Sequence, residues 1–360
     1  MVVHEREPFN AEPPRTGLAG LLRTPLDTFY SRNHGPIPDL DPAAWRLTVD
    51  GLVERPMDLS LEQLRDRFPE EEVTATLQCA GNRRAGLMAV RDIPGEAPWG
   101  SGATSTATFG GIRLADVLAA AGLRAQATHI AFDGADVSPL PDPPQHFGGS
   151  VTVGKAQRPE VLLAWTMNGR PLPRVHGAPL RVVVPGWIGA RSVKWLTRVT
   201  ARTTPSDNYF QATAYRILPA GTDPHRAGPG AGISLGPIAL NCDILSPDDG
   251  ARLPAGPTAV SGYALAGDGR TVTRVDVSAD GGRSWAEAVL DPPRGPGLWQ
   301  LWRSVLHLAP GGTGITARAW DSTAALMPAS PADLWNPKGY ANNSWPTVHV
   351  TVESQDAGPS

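Results

Sequence analysis

Residues 76–84 read TLQCAGNRR, a short stretch with unusual chemistry. The residues over 74–77 predict a strand that runs straight into Cys79, which small residues and two adjacent arginines, Arg83 and Arg84, then follow. The ordinary interpretation is a buried cysteine before an exposed basic turn. The alternative is a reactive site, because cationic neighbours lower the pKa of a thiol, and the thiolate attacks electrophiles or binds soft metals. The stretch therefore leaves two hypotheses open: a structural cysteine, or an anion-binding site with a thiolate at its floor.

Short helices and strands are predicted on both sides of this stretch. Ser60 and Gln63 fit a capping box, so a helix should begin there, with Leu61, Leu64 and Phe68 lining one side. The other predicted elements are a helix over about 114–121, ended by Gly122, and strands over 129–132, 161–165 and 180–184. The first part of the chain is thus expected to combine strands with a few short helices.

The second part of the chain shows a clearer strand pattern. A Gly/Pro-rich segment over about 218–236 predicts a domain boundary. Beyond it, apolar residues alternate with polar ones over 274–277, 315–319 and 348–352, which predicts an antiparallel β-sandwich. The predicted organisation is an irregular N-terminal segment over 1–24, a first domain over 25–235, a sandwich domain over 236–354 and a C-terminal tail over 355–360.

The composition excludes several classes of protein. The chain has 360 residues, of which 41% are hydrophobic and 19% charged, so it is long enough for two cores and is not a disordered chain. The formal net charge of −3 argues against nucleic acid or a membrane surface as a partner. Residues 1–15 lack the pattern of an export signal, and no apolar run approaches the roughly 20 residues of a membrane helix. A cytoplasmic location is therefore expected.

The cysteines, histidines and glycine motifs exclude other kinds of site. Cys79 and Cys242 form no C-x-x-C pair, which argues against zinc and against attached haem. They are either two reduced thiols or one disulfide between distant segments. The eight histidines show no metal-binding spacing. Residues 149–155 fit G-x-x-x-x-G-K, but Ala156 replaces the Ser or Thr that holds magnesium, so a phosphate-binding loop is not predicted.

Residues 76–84 resemble the molybdenum-ligand loop of the sulfite oxidase family of molybdopterin enzymes. The resemblance extends over roughly 25–353, with the other motifs in the order found in the family. The matching segments are 29–42, 99–107, 132–136, 161–169, 176–186, 189–195 and 275–285. The resemblance implies an α+β, mainly β fold, in which a sulfite-oxidase-type molybdopterin-binding domain is followed by an immunoglobulin-like β-sandwich dimerisation domain.

The same resemblance implies the residues of an active site. Cys79 would be the protein ligand of molybdenum, which also binds the dithiolene sulfurs of one molybdopterin. The positions that contact the cofactor in the family are Tyr30, Ser31, Arg32, Asn33, His34, Asp136, His176, Arg181, Ser192, Val193 and Lys194. The positions that serve substrate binding and catalysis are Arg32, Arg84, Trp99, Tyr215 and Lys338. Neither haem nor zinc is expected beside the molybdenum cofactor.

Lys338 departs from the pattern of the animal sulfite oxidases. Within residues 335–343 it stands where those enzymes carry a third arginine, whereas plant nitrate reductases carry an uncharged residue there. Lysine keeps the positive charge but lacks the planar fork of a guanidinium, so we expect anion binding to be weaker but to survive. Sulfite is thus favoured over nitrate as the substrate, unless Lys338 merely faces solvent.

The implied function is oxidation of sulfite, a small oxyanion, to sulfate by oxygen-atom transfer at a cysteine-ligated molybdenum centre. No cytochrome b5-like segment precedes residue 25, so the electrons are expected to reach an external acceptor: a cytochrome, another carrier or oxygen. A homodimer formed through the sandwich domain is expected. Two alternatives stay open: a reductase of the same fold acting on nitrate or on an S- or N-oxide, and a non-catalytic β-sandwich binding protein.

Overall fold

Residues 1–354 are described by a computed structural model, and the tail predicted over 355–360 lies outside the described residues. Strands dominate this part of the chain. The α-helices are α1 (Leu61–Arg67), α2 (Arg84–Met88), α3 (Leu114–Ala121) and α4 (Val153–Ala156). Single 3-10 or π turns cover Arg15–Leu18, Arg174–His176, Gly189–Arg191, Phe210–Ala214 and Pro331–Leu334. None of the helices described over 1–354 is long and apolar enough to cross a membrane.

Two five-stranded sheets form most of the first domain. The strands up to residue 235 are β1 (Val2–Glu5), β2 (Asn10–Glu12), β3 (Leu47–Gly51), β4 (Met57–Leu59), β5 (Glu70–Gln78), β6 (Thr104–Arg113), β7 (His129–Ser138), β8 (Gln145–Thr152), β9 (Leu162–Met167), β10 (Arg170–Pro171), β11 (Arg181–Val183), β12 (Leu196–Arg202), β13 (Arg216–Ile217) and β14 (Ile233–Ser234). One sheet has the order β10-β9-β6-β5, with β11 paired to β9, and the other has the order β4-β3-β12-β7-β8. Because Cys79 directly follows β5, the first sheet determines where its thiol lies.

The predicted helices of the first domain are confirmed. α1 begins after Ser60, whose side chain accepts from the Gln63 N–H, while the Gln63 side chain accepts from the Ser60 N–H. Leu64 anchors this helix, because it is buried in the core. α3 ends at Gly122, whose φ of 73° is the left-handed conformation that glycine adopts without strain. The predicted strands are also present, although β7 and β9 extend further than their sequence patterns indicate.

A sandwich of two sheets forms the second domain, as predicted. Its strands are β15 (Asn241–Ser246), β16 (Arg252–Pro254), β17 (Gly256–Leu265), β18 (Val272–Ser278), β19 (Ala286–Glu287), β20 (Val289–Leu290), β21 (Gln300–Leu308), β22 (Gly311–Asp321) and β23 (Thr347–Glu353). The sheet orders are β15-β17-β21-β20 and β16-β23-β22-β18-β19. The strand β16 lies parallel to β23, whereas β17, β18, β21 and β22 pair with their neighbours in the antiparallel sense.

In β18, the apolar residues are buried as predicted, but one of the polar residues between them is buried as well. Val275 and Val277 are buried in the sandwich core, as a period of two requires. Asp276, expected to face water, is buried as well, because Arg274 and Arg318 cover its carboxylate with ion pairs of 2.6 and 3.1 Å. The outer face of this sheet therefore carries a buried charge together with its own cations.

Residues 1–24 are not wholly irregular, in contrast to the prediction. β1 and β2 form an antiparallel hairpin. The buried Glu12 at the end of β2 accepts from two backbone N–H groups in the loop before β6, at 2.6 and 2.8 Å. The Asn10 side chain accepts from the Asn33 N–H at 2.6 Å. These partners are far away in the sequence, so no local pattern in 1–24 indicates them. The hairpin holds the chain around Asn33 in place.

The sheets divide near the predicted domain boundary, but the core does not. All strands up to β14 belong to the sheets of the first domain, and those from β15 onwards belong to the sandwich. Tyr263, Leu265 and Trp299 nevertheless pack in one hydrophobic cluster with first-domain residues. The boundary near residue 236 therefore stays a proposal that rests on the sheets, and the two domains share part of their core.

Thr76 links the domains across this shared core. Its side-chain oxygen accepts from the Trp299 N–H at 3.0 Å and is 2.6 Å from Thr106 Oγ1. Its own N–H donates to the Gly297 carbonyl at 3.0 Å. Thr76 is fully buried, so water cannot replace these bonds.

We expect Thr76→Val to lower the free energy of unfolding by about 1–3 kcal/mol, because a methyl group leaves the buried backbone N–H of Trp299 without an acceptor. Chemical denaturation measures the change. The control is Thr74→Val, which removes a half-buried hydroxyl pair with Thr108 inside the first domain. An equal loss in the two variants would show that the link between the domains contributes nothing beyond an ordinary hydroxyl pair.

Candidate active site

Cys79 lies in the turn between β5 and α2. Its N–H donates to the Ala103 carbonyl at 2.8 Å, and its sulfur accepts from the Gly81 N–H at 3.4 Å. The residue is buried, with 6% of its surface exposed. Both Cys79 and Cys242 are free thiols, which decides between the two states left open by the sequence. Backbone bonds on either side thus hold the sulfur in position.

Burial raises the pKa of the Cys79 thiol above its ordinary value, although Arg84 and Arg32 act in the opposite direction. Neighbouring arginines lower this pKa, as expected, but the loss of water on burial outweighs them, so the net shift is upward. Free Cys79 is protonated at neutral pH. Direct bonding to a metal cation would remove that proton, since a coordinated thiol is held as the thiolate.

A cleft opens beside the thiol. Most of the residues implied by the resemblance line it: Tyr30, Arg32, His34, Cys79, Asp136, His176, Arg181, Ser192, Lys194 and Tyr215. They come from separate strands, turns and loops of the first domain, so only the folded chain brings them together. Phe29, Phe147 and Ala190 add apolar walls.

Three other implied residues do not line the cleft but contact the segments that form it. Ser31 exchanges two backbone hydrogen bonds with Ala11, of 2.8 and 3.0 Å. Asn33 is buried, and its side-chain oxygen accepts from Nζ of Lys194. Val193 is also buried, and its carbonyl accepts from a backbone N–H of β11 at 3.0 Å. These contacts hold the segments that carry the lining residues.

The titratable groups of the cleft wall are strongly shifted by burial. Burial raises the pKa of Asp136 to about 6, against the effect of Lys194. Burial and Arg181 lower the pKa of Lys194 to about 7, with Asp136 acting in the opposite direction. Burial, Lys194 and Arg181 lower the pKa of His176 to about 3, so its imidazole is neutral. A bound ligand can therefore change the protonation of Asp136 and Lys194 near neutral pH.

Two buried polar atoms of this wall have no hydrogen-bond partner within residues 1–354. Arg181 donates through its terminal nitrogens to the carbonyls of His176 and Ser192, at 2.9 and 3.0 Å, but its Nε has no acceptor. Oδ1 of Asp136 is likewise buried without a donor. Because an unpaired buried polar atom costs free energy, the wall fits a ligand that offers both an acceptor and a donor.

Tyr215 and His34 form a hydrogen-bonded pair in the cleft, with 2.7 Å between Oη and Nε2. Burial, together with Arg32 and Lys194, holds the pKa of His34 well below its ordinary value, so the imidazole is neutral. Burial raises the pKa of Tyr215, so the phenol keeps its proton. Which partner donates depends on which nitrogen of His34 carries the proton.

Arg84 and Lys338 both pair with Glu96, a residue that belongs to none of the motifs of the sequence. Oε2 of Glu96 lies 3.2 Å from Nη2 of Arg84, and Oε1 lies 3.6 Å from Nζ of Lys338. The side chain of Lys338 is 22% exposed, so it does not merely face solvent. No motif or regular spacing connects positions 84, 96 and 338, and only the fold shows that they meet.

Trp99, expected to form a wall of the substrate pocket, is fully buried. Its ring contacts His4, with 4.7 Å between the ring centroids, and its carbonyl accepts from the Ala85 N–H at 3.0 Å. Its indole N–H is buried and has no acceptor in the part of the chain that the structure describes. Trp99 thus packs against the start of α2, which is where Arg84 lies.

Two family models match the chain. Residues 34–210 match the oxidoreductase molybdopterin binding domain. Residues 236–353 match the Mo-co oxidoreductase dimerisation domain. The first match contains Cys79 and most of the cleft, although Tyr30, Arg32 and Tyr215 lie outside it, and the second coincides with the sandwich.

Curated proteins resemble the chain over nearly its whole length. The sulfite oxidase of Gallus gallus is 42% identical over 95% of this chain and 76% of that protein. The mitochondrial sulfite oxidase of Rattus norvegicus is 41% identical over 97% of this chain, which spans 65% of that longer protein. The nitrate reductase [NADH] of Hordeum vulgare is 36% identical over 96% of this chain, but the chain spans only 40% of it.

A solved structure shares the fold. The sulfane dehydrogenase SoxCD from Paracoccus pantotrophus superimposes with a TM-score of 0.79 at 29% sequence identity. The match covers 94% of this chain and 83% of that one, so the two-domain arrangement is common to both.

Proposed function

Because this chain belongs to the sulfite oxidase family of molybdopterin oxidoreductases, we propose that it oxidises sulfite to sulfate and passes the electrons to an external acceptor. The observation that carries the proposal is the cleft, in which the buried thiol of Cys79 lies among cationic side chains and unpaired polar atoms. The relatives that match over most of the chain are oxidoreductases, which overturns the non-catalytic alternative.

The cleft fits the molybdenum cofactor. Cys79 offers a soft sulfur ligand, and the unpaired Nε of Arg181 and Oδ1 of Asp136 offer a donor and an acceptor to the polar edges of molybdopterin. The other residues that would hold it are Tyr30, Ser31, Arg32, Asn33, His34, His176, Ser192, Val193 and Lys194. When bound, the cofactor supplies the two-electron redox change and the oxygen-atom transfer.

Cationic side chains would bind the substrate. A small oxyanion in a desolvated pocket needs fixed cations with hydrogen-bond donors. Arg32 lines the cleft, and Arg84 acts electrostatically on the Cys79 thiol at its floor. Lys338 shares Glu96 with Arg84, so we place its ammonium at the same site. Trp99 would hold α2, and with it Arg84, in position.

Tyr215 would supply a proton donor at the reacting centre. Because burial keeps its phenol protonated, it stays a donor across the neutral pH range. When His34 carries its proton on Nε2, that N–H donates to the phenol oxygen, and the phenol proton is free to point into the cleft. The neutral imidazole would thus orient the donor.

A reductase of the same fold is the second candidate, because the chain is also similar to a nitrate reductase. The cation at Lys338 favours sulfite. A homodimer through the sandwich is supported by the match of 236–353 to a dimerisation domain. The identity of the acceptor and a cytoplasmic location stay predictions.

We expect the protein, purified from a host that makes the cofactor, to hold about one molybdenum per chain, since Cys79 offers the metal one site. Sulfite should drive the reduction of ferricyanide, and nitrate should drive little oxidation of reduced viologen. Nitrate turnover without sulfite turnover would replace the proposal by the second candidate. A molybdenum content far below one per chain would refute both.

A further inference from the structure

Glu96 forms ion pairs with the cations that the substrate would need. Its two carboxylate oxygens reach Arg84 and Lys338 at 3.2 and 3.6 Å. The side chains of Glu96, Arg84 and Lys338 are only 18%, 3% and 22% exposed, so water and salt screen these charges weakly. In the described structure, therefore, one carboxylate is shared by two of the implied substrate-binding cations and cancels half of their charge.

The charge of Glu96 also reaches the cleft. Burial is the main cause that raises the pKa of Cys79 and of Tyr215, and the negative charge of Glu96 adds to both shifts. A carboxylate that acts on these two groups must also repel an anion bound between them. Substrate binding and the present position of Glu96 thus oppose each other.

Arg84 cannot move away from its position to resolve this conflict. Its side chain lies between Gly81 and Gly339, where an added Cβ would come within 2.6 Å of Nη2 and of Cγ respectively. Its Nε donates to the Lys338 carbonyl at 3.1 Å, and its Nη1 donates to the Ala97 carbonyl at 2.9 Å. The guanidinium is therefore a fixed cation.

Glu96, in contrast, is carried by a loop that faces solvent. The loop joins α2 to β6, and the two residues before Glu96, Pro94 and Gly95, are exposed. Gly95 has a φ of 79°, with no heavy atom within 4 Å of the position of an added Cβ. Unlike the guanidinium of Arg84, the Glu96 carboxylate therefore has room to withdraw.

We propose that Glu96 is an internal competitor of the substrate: its carboxylate holds the site formed by Arg84 and Lys338 in the free enzyme and leaves it when a dianionic oxyanion binds. The inference rests on the proposed function in taking an oxyanion as the ligand. A dianion gains about twice the attraction of a monoanion from the same cations, so it displaces the carboxylate more readily. Glu96 thereby lowers the affinity of the site for oxyanions and promotes the release of sulfate.

Glu96→Gln in the cofactor-loaded enzyme tests this inference. Glutamine keeps the size but removes the charge, so the KM for sulfite and the inhibition constant of sulfate should fall about fivefold or more. The inhibition constant of nitrate should fall by a similar factor, because any anion that enters this site displaces the same carboxylate. Independently of turnover, sulfate should raise the midpoint of thermal unfolding more in Glu96→Gln than in the parent protein, because the freed cations bind it.

Glu71→Gln is the matched control, because it removes the same charge from a half-exposed 2.6 Å pair with Arg113. It should leave sulfate affinity unchanged. The inference is overturned if Glu96→Gln behaves like this control, or if it weakens sulfate binding, which would make Glu96 a positioning residue for the cations. Should Glu96→Gln fail to fold, Glu96→Asp, which draws the carboxylate back by one methylene, should shift sulfate affinity in the same direction by less.

The same measurements separate this inference from the proposed function. If sulfate binding tightens in Glu96→Gln but the parent protein does not oxidise sulfite, the proposed function fails and the competition stands. If sulfite is oxidised and sulfate binding does not respond to Glu96→Gln, the competition alone fails.

Discussion

Cys79→Ser should reduce sulfite-dependent ferricyanide reduction to the background rate while the protein stays folded. A hydroxyl is a poor ligand for a soft metal, so the molybdenum content should fall together with turnover. The fold should survive because the new hydroxyl can still accept from the Gly81 N–H, which now donates to the sulfur at 3.4 Å. We expect the free energy of unfolding to change by about 1 kcal/mol, which chemical denaturation measures.

Cys242→Ser is the matched control for this experiment. Cys242 is also a buried free thiol, but it lies in β15 of the sandwich. The same substitution there should lower stability without removing molybdenum or turnover. Full turnover in Cys79→Ser would refute the ligand assignment. Equal loss of turnover in the two variants would show that the effect is one of folding.

The elements that the sequence predicts well are those determined by residues that lie close together in the chain. The start of α1 depends on Ser60 and Gln63, three positions apart, and the end of α3 on one glycine, Gly122. In the sandwich, Val348, Val350 and Val352 point to one buried face because the period of a strand is two. Such patterns can be recognised before any tertiary contact is known.

The elements that escape prediction depend on partners far along the chain. Glu12 ends the N-terminal hairpin by accepting from N–H groups that lie 88 and 90 positions later. Asp276 is buried although strand alternation places it outside, because Arg318 reaches it from β22. In both cases a charged side chain finds a partner that only the folded chain supplies.

The candidate site also has a part that the sequence predicts and a part that depends on contacts between distant residues. The order of motifs was enough to select most of the residues that line the cleft around Cys79. It could not give the direction in which the pKa of the thiol is shifted, because that direction depends on burial. Nor could it indicate Glu96, because the residues that Glu96 joins, Arg84 and Lys338, are 254 positions apart.

Arg84→Met should lower the free energy of unfolding by about 3–5 kcal/mol, the usual cost of breaking a buried ion pair from one side. The guanidinium is 3% exposed and donates to the carbonyls of Ala97, Lys338 and Gly339, at 2.9, 3.1 and 3.3 Å. Methionine fills the space of the stem but removes the donor to the Lys338 and Gly339 carbonyls, and it leaves the Glu96 carboxylate with Lys338 as its remaining partner. Chemical denaturation of the purified variant measures the loss.

Arg113→Met separates burial from simple charge attraction. Arg113 pairs with Glu71 at 2.6 Å, a shorter distance than the 3.2 Å between Arg84 and Glu96, but both its side chain and that of Glu71 are about two fifths exposed. If distance alone set the energy, Arg113→Met would be the more damaging change. Because water already solvates the exposed pair, we expect it to cost no more than about 1 kcal/mol. A loss as large as that of Arg84→Met would mean that desolvation does not determine the strength of these pairs.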